Sequence, residues 1–407
     1  MASMFRRAFL LAVLPTLVWA APPPTARRIS VLLVPMDRGA EAQQVKLERY
    51  INDALAEFQG ITIKPTSELF GLPPDDEAEA SFKRAETGFK ESKDAFDGKN
   101  FEDAERKLRA TIKEYGRAAA AIHKCGHLCD AVAMYAASLQ ARGDLEEAKI
   151  ALLDLLALGP TYELDRKKFP QEFISLRTQV ATSRNAQLRG NVNVKSKPAG
   201  AAVLLDGDLM GYTPMSLQTL AVGKHVVRLE RPGFKQWGAV VEVTPEDSEL
   251  TPELVATPGY KAYDTVMDKL AAESAKDKGG QTMSSLGKSL GIDRAIVGVV
   301  KELDDTGKTE LSLSVFDLKS GKRQANKRST FQGDEFGQLK SELGRVVNQM
   351  MITAEGGAET VSKGGDPLKG KHGTEDWNEE DKGGSRTQKE KKKKGDPLDG
   401  VNGTEDW

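Results

Sequence analysis

Apolar residues change their spacing several times along the chain, and each change marks a boundary between elements. ISVLLVP (29–35) is an unbroken apolar run of the kind that forms a buried strand. From Ala40 to Phe58 the positions Val45, Leu47, Ile51, Ala54, Leu55 and Phe58 fall near helical spacing, and ITI (61–63) predicts a second short strand. One helix and two strands cannot enclose a core, so residues 27–75 need a partner elsewhere. Residues 80–185 keep a helical period. Between 190 and 243 the period becomes two, with Val192 and Val194, then Val203 and Leu205, then Val227 and Leu229. Turn signals at Pro198 to Gly200, Asp206-Gly207, Thr213-Pro214 and Pro232-Gly233 separate these runs, and several short strands at that spacing predict a small β-sandwich over 188–250. The stretch 257–352 predicts a helix, a second short helix, strands at 294–300, 310–318 and 324–331, and a closing helix. Its hairpin turns fall at Asp305 to Gly307 and at Ser320-Gly321. Past Ala354 aliphatic residues almost vanish, and the composition predicts a disordered tail over 353–407.

Three stretches resemble known families. NFEDAERKL (100–108) and DLEEAKIAL (144–152) each place an alanine three residues after an aromatic or leucine, with a leucine four further on and Gly98 or Gly143 just before. That pattern resembles the tetratricopeptide repeat, in which a small alanine sits where paired helices cross. Two copies fall short of the three a solenoid usually needs, so a flanking helix near 170–183 is expected to cap the stack. Residues Ser196, Pro198, Gly200, Ala201, Val203, Asp206-Gly207, Gly211, Thr213-Pro214, Gly223, His225 and Gly233-Phe234 resemble the PEGA domain, with Ala199 where the name-giving glutamate would stand. The resemblance implies an interaction module of the periplasm or cell surface, without catalysis. LGIDRAIVGVV (290–300) followed by a hairpin and FDLKSGK resembles a small α/β domain of envelope-assembly proteins, which normally begins with a strand and helix like 29–63. Residues 27–75 are therefore expected to complete the domain at 257–352, with Val31 and Leu33 in the sheet that contains Ile296. The expected architecture is a multidomain α and β chain: TPR-like α-helical repeats, a PEGA β-sandwich, a small α/β domain and a disordered C-terminal tail.

The first 21 residues have Arg6 and Arg7 ahead of an apolar stretch from Ala8 to Trp19, with Val18 and Ala20 placed for cleavage before Ala21. They read as an export signal, and RRAFL resembles its twin-arginine variety. No cysteine stands near the cleavage position, which excludes a lipoprotein, and no later run is long and apolar enough for a transmembrane span. The expected location is periplasmic or secreted. A net charge of −2 over 407 residues offers no basic field for nucleic acid.

Candidate chemistry is sparse. His123, Cys125, His127 and Cys129 alternate like soft-metal ligands, yet on a helix the histidine and cysteine pairs lie roughly 200° apart. Partly buried cysteines, a Cys125–Cys129 disulfide and a metal site all remain open for that segment. LGKSLG (286–291) lacks the earlier glycine of a phosphate loop, because position 282 is Thr282. No hydrolase or zinc-protease motif is present, His225 sits on an expected strand, and no enzyme activity or cofactor is expected.

GDPLKGKHGTEDW (365–377) recurs as GDPLDGVNGTEDW (395–407), with ten of thirteen positions identical. A calcium loop from Asp396, Asp399, Asn402 and Glu405 fails in the first copy, where Lys369 and His372 replace two ligands. A linear docking motif fits better, with Trp377 and Trp407 as anchors and Leu368 and Leu398 as secondary contacts. Equivalent positions of the two copies lie 30 residues apart, and flexible chain of that length spans roughly 30 Å, enough for two copies to engage one partner together. The function expected from all of this is an exported non-enzymatic scaffold that holds envelope proteins, with a cell-wall or polysaccharide-binding protein as the alternative.

Overall fold

A computed structural model describes residues 27–303, 308–332 and 338–356. The expected export signal, the turn at Asp305 to Gly307 and the repeats bearing Leu368, Trp377, Leu398 and Trp407 lie outside the described residues. Twelve helices and three sheets make up the described structure, a mixed α and β chain of several modules.

Chain-distant strands build the first module. β1 (Arg27–Pro35) runs parallel to both β2 (Ile61–Ile63) and β10 (Arg294–Glu302), and Val31 lies opposite Ile296. β11 (Lys308–Asp317) and β12 (Arg323–Gln332) continue antiparallel, giving the order β12-β11-β10-β1-β2. The unbroken apolar run of β1 is explained by burial on both faces: Val31 and Leu33 meet α1 (Arg38–Leu55) and α12 (Gln338–Ala354), while Leu32 and Val34 meet the opposite layer. That layer comprises α2 (Thr66–Phe70), α9 (Pro258–Asp264), α10 (Met267–Ser274) and α11 (Gln281–Leu290). Asp37 fixes the start of α1, because one carboxylate oxygen accepts the Ala40 N–H at 2.7 Å and the other accepts the Glu302 N–H at 3.0 Å.

Two sequence expectations need correction in this module. The stretch expected to hold two helices before β10 holds three, because Glu273 turns its carboxylate onto the N–H groups of Gly280, Thr282 and Met283 and starts a new helix there. On α1, Val45 is only half-buried whereas Gln44 and Glu48 are buried, since a second surface covers that side of the helix.

α3 (Asp76–Asp97) and α4 (Phe101–Arg117) form one antiparallel hairpin, and α5 (Gly126–Arg142) and α6 (Leu145–Leu158) a second, followed by α7 (Gln171–Ala181) and α8 (Arg184–Gln187). Gly143 ends α5 at φ 93° in the left-handed region. Ala104 and Ala148, the small residues of the two similar runs, are fully buried in one core with Leu108 and Leu152. Ser92 and Thr111 hydrogen-bond across the first hairpin at 3.2 Å.

The third module has two sheets around one core. β3 (Arg189–Val194) lies between β6 (Met215–Ala221) and β9 (Ser248–Leu250). In the other sheet β4 (Ala202–Leu205) and β7 (Gly223–Glu230) lie between β5 (Asp208–Tyr212) and β8 (Trp237–Val243). Val192, Val203, Leu217, Leu229 and Val243 from both sheets fill that core, and Leu254 joins them from beyond the last strand.

Candidate functional site

The third module touches both others through side chains that alternation alone would assign to solvent. Arg231, just past β7, is 1% exposed. It donates to the carbonyl of Ala199 and, at 2.9 Å, to Gln44 Oε1 on α1, while Glu41 on the same helix stands 3.8 Å away. Its guanidinium lies 5.5 Å from the ring centre of Phe234. Gly200 permits this approach: it has φ 79°, and a Cβ there would come within 2.6 Å of the Glu41 carbonyl. Beside the arginine, Glu48 accepts from both the N–H and the hydroxyl of Thr66. Burial is the dominant influence on this carboxyl and pushes it up to about 7, against the opposing hydrogen bonds from Thr66 and Asn52 and the charge of Arg231.

Three residues earlier, Arg228 (2% exposed) reaches the helical module. Its Nη1 donates to the Ile122 carbonyl at 2.9 Å and lies 2.6 Å from His123 Nδ1, and its Nη2 bonds the Glu230 carboxylate. Nearby, Lys224 pairs with Asp154 of α6 at 2.7 Å. Gly238 abuts the short turn Ala119–Ala121, where a Cβ would meet the Ala120 nitrogen at 2.3 Å. His225 is held between Asp206 Oδ2 at 2.7 Å and the Ala221 carbonyl at 2.9 Å. Burial acts to lower this imidazole, but the Asp206 hydrogen bond and charge with the Ala221 carbonyl outweigh it, and the net direction is up.

The alternating His/Cys segment is divided among different partners. Cys125 and Cys129 form a disulfide across the first turn of α5. His123 faces Arg228, whereas His127 lies 2.9 Å from Glu86 on α3 and stacks on Phe89 at 4.6 Å between ring centres. Glu86 also accepts from the Tyr115 hydroxyl at 2.7 Å. The four residues do not converge, because 123–125 form a turn and only the later two lie on the helix. Among the described residues no group of three or more His, Cys, Asp or Glu side chains is placed to hold a metal ion. A shallow cleft of about 350 Å³ opens beside this segment, walled by Phe82, Tyr115, Ile122, Cys125 and Leu128. Sequence reasoning missed Glu86, Arg228, Arg231 and Glu48, none of which lies in a motif. The one signal for the arginines was their nearness to the Pro232-Gly233 turn.

Residues 189–258 match the PEGA domain family. The match runs past Leu250 into the segment that contributes Leu254 to the core, which the periodicity had left out of the module. Neither a curated protein nor a solved structure matches the chain. No helix among the described residues is long and apolar enough to cross a membrane.

Proposed function

We propose that this protein is an exported, non-enzymatic scaffold of a bacterial cell envelope. In this reading the tetratricopeptide-like hairpins α3 to α6 and the duplicated GDPL…GTEDW motif hold partner proteins, and the PEGA β-sandwich fixes the modules relative to one another. The observation that carries it is the seat of the PEGA domain, clasped to α1 through Arg231 and to the Ile122 turn through Arg228. A module so bound on two sides sets spacing and orientation, which is what a scaffold must supply. PEGA domains occur in extracytoplasmic proteins, which supports export through the N-terminal segment. The acidic GTEDW ends with Trp377 and Trp407 supply the anchor chemistry of an interface.

Cell fractionation with N-terminal sequencing tests the location, and the mature chain is expected in the periplasm or medium beginning at Ala21. Crosslinking in living cells tests the role. An envelope protein captured by the wild type and lost on the double change Trp377→Ala, Trp407→Ala supports the scaffold. Binding to purified wall material that is unchanged by those substitutions would favour a wall-binding protein instead.

A further inference from the structure

We infer that the outer edge of β12 is a docking strand for an extended acidic segment of a partner protein. The five-stranded sheet has two edges. β2 is only three residues long, whereas β12 spans ten and has no strand beyond it among the described residues. Among the described residues its beginning is covered, where the Arg323 N–H bonds the Asp277 carbonyl at 3.0 Å and Lys278 bridges Lys322. Past that point Asn326, Lys327 and Arg328 are consecutively exposed, as expected where neither face nor edge is packed. A free strand edge presents main-chain donors and acceptors in a row, and an extended peptide satisfies them by adding a strand.

Charge decides which strand. The sequence RQANKRSTFQ contains no acidic residue. Lys327 and Arg328 project to opposite faces of the sheet, opposite Leu313 and Ser312 respectively. Arg328 is 72% exposed; its Nε donates to the Ser312 hydroxyl at 3.2 Å, and Glu310 stands 3.8 Å away. On its side lies an open groove of about 620 Å³ lined by Ala271, Ala275, Ser312 and Asn326, with the carboxylates of Asp268 and Glu310 at its wall. A second copy pairing antiparallel about a two-fold centred on these residues would set the cations against their own mates, and like charges directly opposite are destabilising. Two adjacent acidic residues on an incoming strand would meet one cation on each face. The partner chemistry is therefore an extended segment with consecutive Asp or Glu flanked by residues of high strand propensity.

This surface is independent of the scaffold proposal, and failure of either leaves the other standing. The test uses the full chain and a fluorescent eight-residue peptide of alternating threonine and valine with two adjacent glutamates at its centre. Binding by anisotropy is expected to weaken at least tenfold when the glutamates become lysines, or when Lys327→Glu and Arg328→Glu are combined. The combined variant should in turn prefer the lysine peptide. Methylating the peptide nitrogens along one edge should abolish binding, and amide exchange should slow at residues 324–332. A folded charge-reversed variant that binds the glutamate peptide as well as wild type overturns the proposal. So does equal binding of the methylated peptide, absence of binding at low salt, or protection confined to another strand.

Discussion

Arg228 and Arg231 lie three residues apart and are both sealed from water, yet they close different joints. Arg231 secures the PEGA domain to the α/β module, beside a carboxyl that burial holds near neutrality, Glu48. Arg228 secures it to the helical module, while His225, three residues earlier, lies on the opposite face of β7, where Asp206 and the Ala221 carbonyl hold its imidazole toward the charged form. The first joint is built from side chains of α1, a regular helix. The second is built from the Ile122 carbonyl and His123 of a turn that a disulfide follows, with Asp154 of α6 pairing Lys224 nearby. A buried guanidinium costs several kcal/mol to desolvate and survives only where acceptors surround it, so each arginine marks where the domain is fixed.

Removing the guanidinium at the first joint should have the largest effect. Arg231→Met leaves the Ala199 carbonyl and Gln44 without their donor, and the expected loss is about 3–4 kcal/mol in urea unfolding. Arg228→Met should cost less, because Glu230 and His123 can turn to water. Equal losses would show that the two joints do not differ as described. Next comes the backbone contact of the second joint: Gly238→Ala forces a methyl against the Ala119–Ala120 main chain, and the expected cost is about 2–3 kcal/mol. A variant melting with wild type would mean that β8 does not approach this turn.

The elements with the cleanest period were the most legible. Val192, Val203 and Leu229 alternate because each strand has one face on the PEGA core, and the helical spacing of Leu47, Ile51 and Leu55 follows from one face on the sheet. The joints were illegible for the same reason. Periodicity assigns polar residues to solvent, and Gln44, Glu48, Arg228 and Arg231 are polar residues buried by another module. Hydrophobic pattern reports a strand but not its neighbour, so the β1 and β10 pairing came only through a family resemblance. Of the readings left open for the His/Cys alternation the structure holds the disulfide, and the histidines part because the chain turns between Lys124 and Gly126 before α5 begins.

The Glu48 carboxyl at the first joint and the His225 imidazole inside the PEGA domain should also separate by pH. Glu48 has a folded pKa raised from 4.5 to about 7, so its contribution is fully present below pH 4.5 and declines as pH rises to about 7. Glu48→Gln should remove this dependence and, above pH 7, raise stability by about 2 kcal/mol. His225 is also raised, so its contribution is present below about pH 6.5, where a free imidazole titrates, and is lost as pH rises through its folded value. His225→Gln should therefore flatten the alkaline limb only. Arg231→Met should shift the upper end of the Glu48 window higher, because the arginine's charge opposes the upward push of burial. If Arg228→Met moves that window equally, the joints are coupled and the comparison fails.

The smallest expected effect belongs to the disulfide. Cys125 and Cys129 are only four residues apart, and a loop that short restricts the unfolded chain little, so Cys125→Ser with Cys129→Ser should cost about 1–2 kcal/mol. Its local consequence is sharper. The bond holds the first turn of α5 immediately after the carbonyl that receives Arg228, so the double change should speed amide exchange across 122–129. Exchange at the Arg231 joint should stay as it was, because α1 and the Ala199 turn that receive this arginine do not touch the disulfide segment. If exchange rises equally on both sides of the PEGA domain, the turn and the helix are not separate anchors, and the difference between the two arginines has no mechanical meaning.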